Sequence, residues 1–352
     1  MKPTHETELT EPVDLCEVDG RLLNPAARGW SRRPLHTANL RGLWGRNKRW
    51  DYWAVLAGDL AIAITYADVD YLGMATIWWA DLATGVTGGR ETNLALARGV
   101  SLPDRPGSTP LAYRGRHAQL EIADDPEGTT IDATWREKDR RPGRLSLRID
   151  LPPGHESLNV VIPWNERRFQ YTSKHQARPA HGTLSVGDEQ WVMGNRKAGD
   201  GGHSAVEAWA VLDVGRGRWP YSTRWNWGGG AGPTTAGSVV GLQFGAKWTE
   251  GTGFTENGII VDGRLTKIGE ELTWDYDWDQ PLRPWRVHDS DGGLDVTLTP
   301  RYDRHSRTNA GILYSEVHQV FGSWSGHVTD CEGDVHELDS IQGFAEESRS
   351  RW

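Results

Sequence analysis

Short segments of alternating apolar and polar residues, each closed by a glycine, proline or aspartate cluster, recur along almost the whole chain. Before the midpoint they fall at 49–56, 59–70, 72–82, 111–123, 129–136 and 144–151. After Gly182 they resume at 183–193, 238–248, 254–262, 264–276, 284–288, 294–299, 312–321 and 324–330. Successive side chains of a strand point to opposite faces, so such segments bury one face each and must curl or stack to do it. Asp19-Gly20, Asn257-Gly258, Asp262-Gly263 and Asp291-Gly292 supply tight turns between them. The pattern predicts an all-β chain of antiparallel meanders with little helix. One stretch stays open. Ser204–Glu207 reads as a capping box for a short helix through Leu212, or as a strand with Val206, Ala208, Ala210 and Leu212 on one face.

A chain of 352 residues is long for a single core and points to about two domains. The alternation breaks at Lys174–Gly182, which contains Pro179, so the expected division is 1–181 and 182–352. Net charge is −9, with both signs interspersed and no cationic block, which argues against nucleic acid or an anionic membrane as partner. The first residues carry no apolar leader, and no apolar run reaches membrane-spanning length. The expectation is a cytoplasmic protein without stable membrane insertion, with oligomeric state left open. Cys16 and Cys331 fit either a pair or two free thiols.

Tryptophan outnumbers phenylalanine 19 to 5, an excess that suits walls with one apolar and one hydrogen-bonding side. It concentrates in Arg218–Gly232, where Trp225 and Trp227 run into a glycine cluster. No Lys-Ser/Thr pair follows Gly228–Gly232, so the glycines suit close backbone approach rather than phosphate binding. With Trp248, these two Trp residues are the expected walls of a pocket for a small apolar molecule.

Glu256 enters a strand among Phe254, Ile259, Ile260 and Val261. A carboxyl in that company is disfavoured as an anion, which makes it a candidate proton donor; an ordinary paired carboxylate is the plain alternative. Period two places Tyr314, Glu316 and His318 on one face, where Glu316 and His318 can form an acid–base pair. They can also be two metal ligands, but no third ligand has a recognisable spacing, so no metal is expected. Asn257, Tyr314, Tyr171 and His175 are further candidate substrate contacts, although Tyr171, His175 and His181 also suit a linker. Trp274–Asp279 alternates aromatic and acidic residues and reads as structural, with its rings inward.

Several segments resemble an uncharacterised bacterial family, number 2804 in the domain-of-unknown-function series. They include Ala67–Gly73, Ala80–Gly85, Val161–Trp164, Arg168–Lys174, Gly215–Tyr221, Trp225–Gly228, Lys247–Thr249, Thr255–Asn257, Ser315–Gln319 and Gly343–Glu347. The resemblance implies two tandem lipocalin-like β-barrel units, similar to the carotenoid hydratase and lipocalin-like cyclase proteins. It carries no catalytic residue across by position. The expected function is cofactor-independent hydration, isomerisation or cyclisation of an isoprenoid-like or lipid substrate, started by protonation. The alternative is a binding protein that holds such a ligand unchanged.

Overall fold

The computed structural model describes residues 4–194, 206–311 and 313–351. Among them the protein is all-β, with lipocalin-like curled antiparallel sheets and one short 3-10 turn at Pro25–Ala27. No helix of the described residues is long and apolar enough to cross a membrane. Two compact units divide the chain, and neither is continuous. One comprises Gly42–Pro153 and Arg178–Arg216; the other comprises Met1–Arg41, Gly154–Ala177 and Gly217–Trp352. This differs from a cut near 181, because Lys174–Gly182 lies inside one long strand, Arg168–Val186. The alternation is hidden there because Lys174, Gln176 and Arg178 are buried among polar partners rather than apolar ones. The stretch read as helix or strand is resolved in part: Trp209–Arg218 is a strand, while Ser204 and Ala205 lie outside the described residues.

In the unit built on Gly42–Pro153, hairpins carry the chain through Lys48–Ala57, Leu60–Asp68 and Leu72–Asp81, and later through Ala118–Asp125, Gly128–Arg136 and Pro142–Asp150. Trp53, Val55, Ile62, Ile64, Ile77, Leu120, Ile131 and Leu147 fill its core. Their spacing of two is the alternation seen in the sequence. Trp79 and Trp135 each donate an indole N–H at 2.9 Å to the buried Glu137, which also receives the Gly89 amide at 2.9 Å. A carboxylate so supplied with donors can be buried at tolerable cost.

The other unit holds a nine-stranded sheet. Its spatial order is Arg264–Ile268, Asn257–Val261, Val239–Ala246, Ser222–Pro233, Val335–Arg351, Leu313–Thr329, Leu294–Ala310, Trp285–His288 and Thr273–Asp275. Leu242, Phe244, Ile259, Trp285, Val296, Leu298, Val320, Trp324 and Ala345 form the core on one face, called the inner face below. The glycine run Gly228–Gly232 belongs to a strand here. Gly228 and Gly230 sit opposite Phe244 and Leu242 on the inner face. A Cβ on Gly228 would lie 3.0 Å from the Trp274 ring and 3.4 Å from Trp324. Bare backbone therefore lets the tryptophan rings lie flat against the strand. A second layer, Trp30–Ser31 with Leu158–Asn165 and the first half of Arg168–Val186, covers the outer face. Cys16 is buried and Cys331 is exposed, and no disulfide joins the two.

One irregularity decides what the inner face carries. In Leu294–Ala310 the register shifts between Pro300 and Tyr302, so Leu298 pairs with Trp324 but Asp303 pairs with Val320 and His305 with His318. The bulge moves odd-numbered residues onto the face that even-numbered ones occupied before it.

Gly230 is the most tightly enclosed glycine of the run, since a Cβ there would lie 2.4 Å from the Gln342 carbonyl and 2.8 Å from the Gly343 Cα. Gly230→Ala is expected to lower stability by about 1–3 kcal/mol through overpacking. A shift of the urea midpoint measures it, and an unchanged midpoint would contradict the packing described.

Candidate active site

Where the apolar inner face ends, a polar row begins. Asn226, Glu347, His318 and His305 stand opposite one another across four adjacent strands. The next row back, Gly228, Ala345, Val320 and Asp303, is already the margin of the core. Thr273–Asp275 and the residues after it bring Trp274, Tyr276 and Trp278 over this row. Together with Lys247, Arg224, Arg349 and Leu272 they line a cleft of about 400 Å³. The Trp274–Asp279 segment is thus structural in one respect, since Tyr276 stacks on Trp285 at 4.0 Å, but its rings also face the cleft.

Glu347 is the electrostatic centre of the cleft. Its side chain is 1% exposed, and it accepts hydrogen bonds from Arg224 at 2.7 Å and Arg349 at 2.8 Å, with the Lys247 ammonium 3.1 Å away. The Tyr276 hydroxyl donates to the same carboxylate, Lys247 donates to the Tyr276 oxygen, and Asn226 donates to that oxygen at 3.1 Å. Burial works to raise the Glu347 carboxyl, but the bonds from Arg349, Tyr276 and Arg224 and the charge of Lys247 together hold it down at about 2. Tyr276 moves the other way: burial, then its bond to the carboxylate, pushes the phenol up, so it stays a donor. Burial lowers Lys247 from its ordinary value despite the neighbouring carboxylate. Lys247 also holds a left-handed backbone with φ 71°, the kind of local strain that collects at functional positions.

Glu256 occupies the outer face instead. It is buried; Trp248 donates its indole N–H to one oxygen at 2.7 Å, and the Lys174 ammonium lies 3.3 Å from the other. Lys174 in turn sits 4.4 Å from the centroid of Trp227, whose N–H donates to Gln243 at 3.1 Å. The structure therefore brings Glu256, Trp227 and Trp248 together. The company is nevertheless not purely apolar, because Arg168–Val186 supplies a cation that local spacing did not reveal. Trp248 stacks on Trp219 at 5.0 Å, and Trp219 meets Trp164 at 5.2 Å and Trp225 at 5.5 Å. Trp225 donates to Glu346 at 2.8 Å. By alternation, Trp225 and Trp227 both point away from the inner-face core that Asn226 and Gly228 share.

The remaining candidates separate into two groups. Asn257 pins the backbone near Glu256, accepting from the Gly245 amide at 2.8 Å and donating to the Glu270 carbonyl at 3.0 Å. Tyr171 is buried, donating to Asn159 at 3.2 Å and lying 4.6 Å from the His36 ring, while His175 is 3.0 Å from the Ser173 hydroxyl. On the inner face, the Tyr314 hydroxyl donates to Glu316, His305 lies 3.1 Å from Glu316, and His318 lies 2.8 Å from Asp303. The bond from Tyr314, then that from His305, outweigh burial and lower the Glu316 carboxyl. Glu316 and His318 share a face as expected. For Tyr276 the local signal is the aromatic–acidic alternation at Trp274–Asp279, whereas Lys247 and Glu347 are marked in the sequence only as members of the segments Lys247–Thr249 and Gly343–Glu347, with no sign of their role.

Two tests separate these clusters. Lys174→Met should cost about 3–5 kcal/mol, because it strands a buried carboxylate, and adding Glu256→Leu should recover most of that loss. Denaturation midpoints of the single and double variants check it; a neutral single variant would remove the ion pair from consideration. Glu347 is held below its ordinary value of 4.5 in the folded protein, at about 2. Its contribution is therefore complete above 4.5 and is lost as pH falls toward 2. Glu347→Gln should flatten that part of the acid-unfolding curve.

Among solved structures, the chain is similar to kievitone hydratase from Nectria haematococca, at 11% identity, TM-score 0.50, covering 99% of this chain and 98% of that one. It also matches CghA with Sch210972, at 10% identity, TM-score 0.43, covering 87% of this chain and 89% of that one. No curated protein matches in sequence. Residues 6–352 match the family described as "Domain of unknown function (DUF2804)", and the chain belongs to that family.

Proposed function

We propose that the protein is a hydratase- or cyclase-type enzyme that moves a proton onto a mainly apolar, unsaturated substrate in the cleft around Tyr276. The observation that carries this reading is the contact chain Lys247–Tyr276–Glu347 opening into an aromatic-walled space of about 400 Å³. Environments that drive neighbouring titratable groups apart assign acid and base roles, and these three groups are driven apart.

In this reading Lys247, an ammonium whose charge burial disfavours, is the proton source: the Tyr276 hydroxyl turns its hydrogen from Glu347 to the substrate's oxygen or polarised double bond, and Lys247 gives a proton to the phenol oxygen in its place. Glu347 remains an anion beside them and stabilises positive charge as it develops. Trp274 and Trp278 offer ring faces to the substrate and to a cationic intermediate. Water or an internal nucleophile then completes hydration or ring closure, and the proton released returns to the Lys247 amine. Isoprenoid or polyketide-like skeletons suit such walls. The kievitone hydratase likeness supports the reading only by showing that this fold accommodates a hydratase. Glu256, closed against Lys174 and Trp248, fits a supporting role better than that of first proton donor.

Mass analysis of reactions with a panel of isoprenoid and polyketide-type alkenes and enones should find a product that has gained water or isomerised. Lys247→Met should lower turnover by about 10²–10⁴-fold with binding retained, and Tyr276→Phe should lower it less. Activity that needs the Lys247 ammonium should fall as pH rises through a value below its ordinary 10.5. Full turnover in Lys247→Met would overturn the assignment; binding without turnover across the panel would favour a carrier.

A further inference from the structure

A second group on the inner face is not used by the proposed reaction. His305, Glu316 and His318 each offer a ligand atom, and these atoms all lie within 4.8 Å of one another. The arrangement follows from the ladder. His305 and His318 are direct cross-strand partners, and Glu316 is two residues before His318, so all three project from one face. The two imidazoles lie parallel, 4.2 Å apart with 3° between their planes, and His305 already reaches Glu316 at 3.1 Å. We propose that His305, Glu316 and His318 bind a divalent transition ion of the zinc type.

Three features beyond proximity support it. Asp303 holds one nitrogen of His318 at 2.8 Å, which leaves the other nitrogen as the ligand atom. A carboxylate behind a histidine in this way fixes the tautomer and strengthens the donor. Tyr314 plays the same part for Glu316 by donating to its second oxygen. Finally, Tyr302–Asn309 pairs without a break against Tyr314–Phe321, so the donors sit on a regular ladder. Two imidazoles and one carboxylate suit Zn²⁺ and leave a coordination position for water or a substrate oxygen. That position would lie near the cleft, because the His318 ring meets Trp278 edge-on at 4.5 Å and Trp278 lines it. Arg307 and Arg349 face Glu316 from the neighbouring strands and oppose a cation. Asp303 offsets part of that charge, and Arg349 is already engaged by Glu347 and the Trp278 ring. The site stands whether or not the cleft catalyses hydration.

The test is calorimetric titration of the chelator-treated full-length protein with Zn²⁺, together with the absorption spectrum after Co²⁺ loading. One equivalent should bind, with a visible Co²⁺ band typical of low coordination number. His305 is exposed, so His305→Ala should keep the fold while weakening Zn²⁺ binding by at least about tenfold; Asp303→Asn should weaken it by about 10–100-fold through its effect on His318. His327→Ala, remote from the cluster, should leave the titration unchanged. The proposal is overturned if the wild-type protein binds no Zn²⁺. Equal binding by His305→Ala and the wild type, which would mean an adventitious surface site, also overturns it.

Discussion

The Glu347 carboxylate sets the terms for everything around it. It lies where an apolar sheet face meets polar side chains, and it is nearly inaccessible to solvent. A charge placed there must be matched, and the match comes from Arg224, Lys247 and Tyr276, all far away in sequence, and from Arg349 two residues on. Burial in turn lowers Lys247 and raises Tyr276. The core behind it makes this economical. Gly228 and Gly230 let Trp324 and Trp274 close over the strand, so the apolar layer ends abruptly and the polar row begins one residue pair later.

Alternation explains why this sheet holds two buried charge clusters without conflict. Odd-numbered residues of Ser222–Pro233 send Trp225 and Trp227 to the outer face; even-numbered ones send Asn226 to the inner. Glu256 and Lys174 therefore belong to a closed outer layer, where a buried pair satisfies its own charges and the Trp248 N–H takes a remaining lone pair. Glu347 belongs to the inner face and borders open volume. Both carboxylates are almost fully buried and lie beside a lysine. The cleft beside Glu347, rather than burial, separates them.

What the sequence made legible follows the same line. Leu60–Asp68 and Leu72–Asp81 were readable because one of their faces packs against aliphatic residues and turn residues bound them. Ser222–Pro233, Val335–Arg351 and the first half of Arg168–Val186 escaped notice because glycines, serines or buried polar residues stand where an apolar stripe would mark a strand. In the candidate sites, the shared face of Tyr314, Glu316 and His318 could be derived from period two. Glu256 in apolar sequence surroundings could also be found. Lys174 could not, since its partner is 82 positions away in the chain and nothing local marks the pairing.

His305 is the donor that spacing alone hides. Counting by twos from Leu294, Val296 and Leu298 assigns it to the opposite face, away from His318, so the pattern shows two donors and not three. A single extra residue at the Pro300–Tyr302 bulge reverses that parity and brings Asp303 and His305 in line with Val320 and His318. Bulges of this kind re-aim side chains without altering the strands on either side. Here the bulge falls where Leu298 ends the apolar run, so the same backbone step that terminates the core on this strand also turns a carboxylate and an imidazole toward the cleft's margin. The polar row is continuous across four strands only because of it.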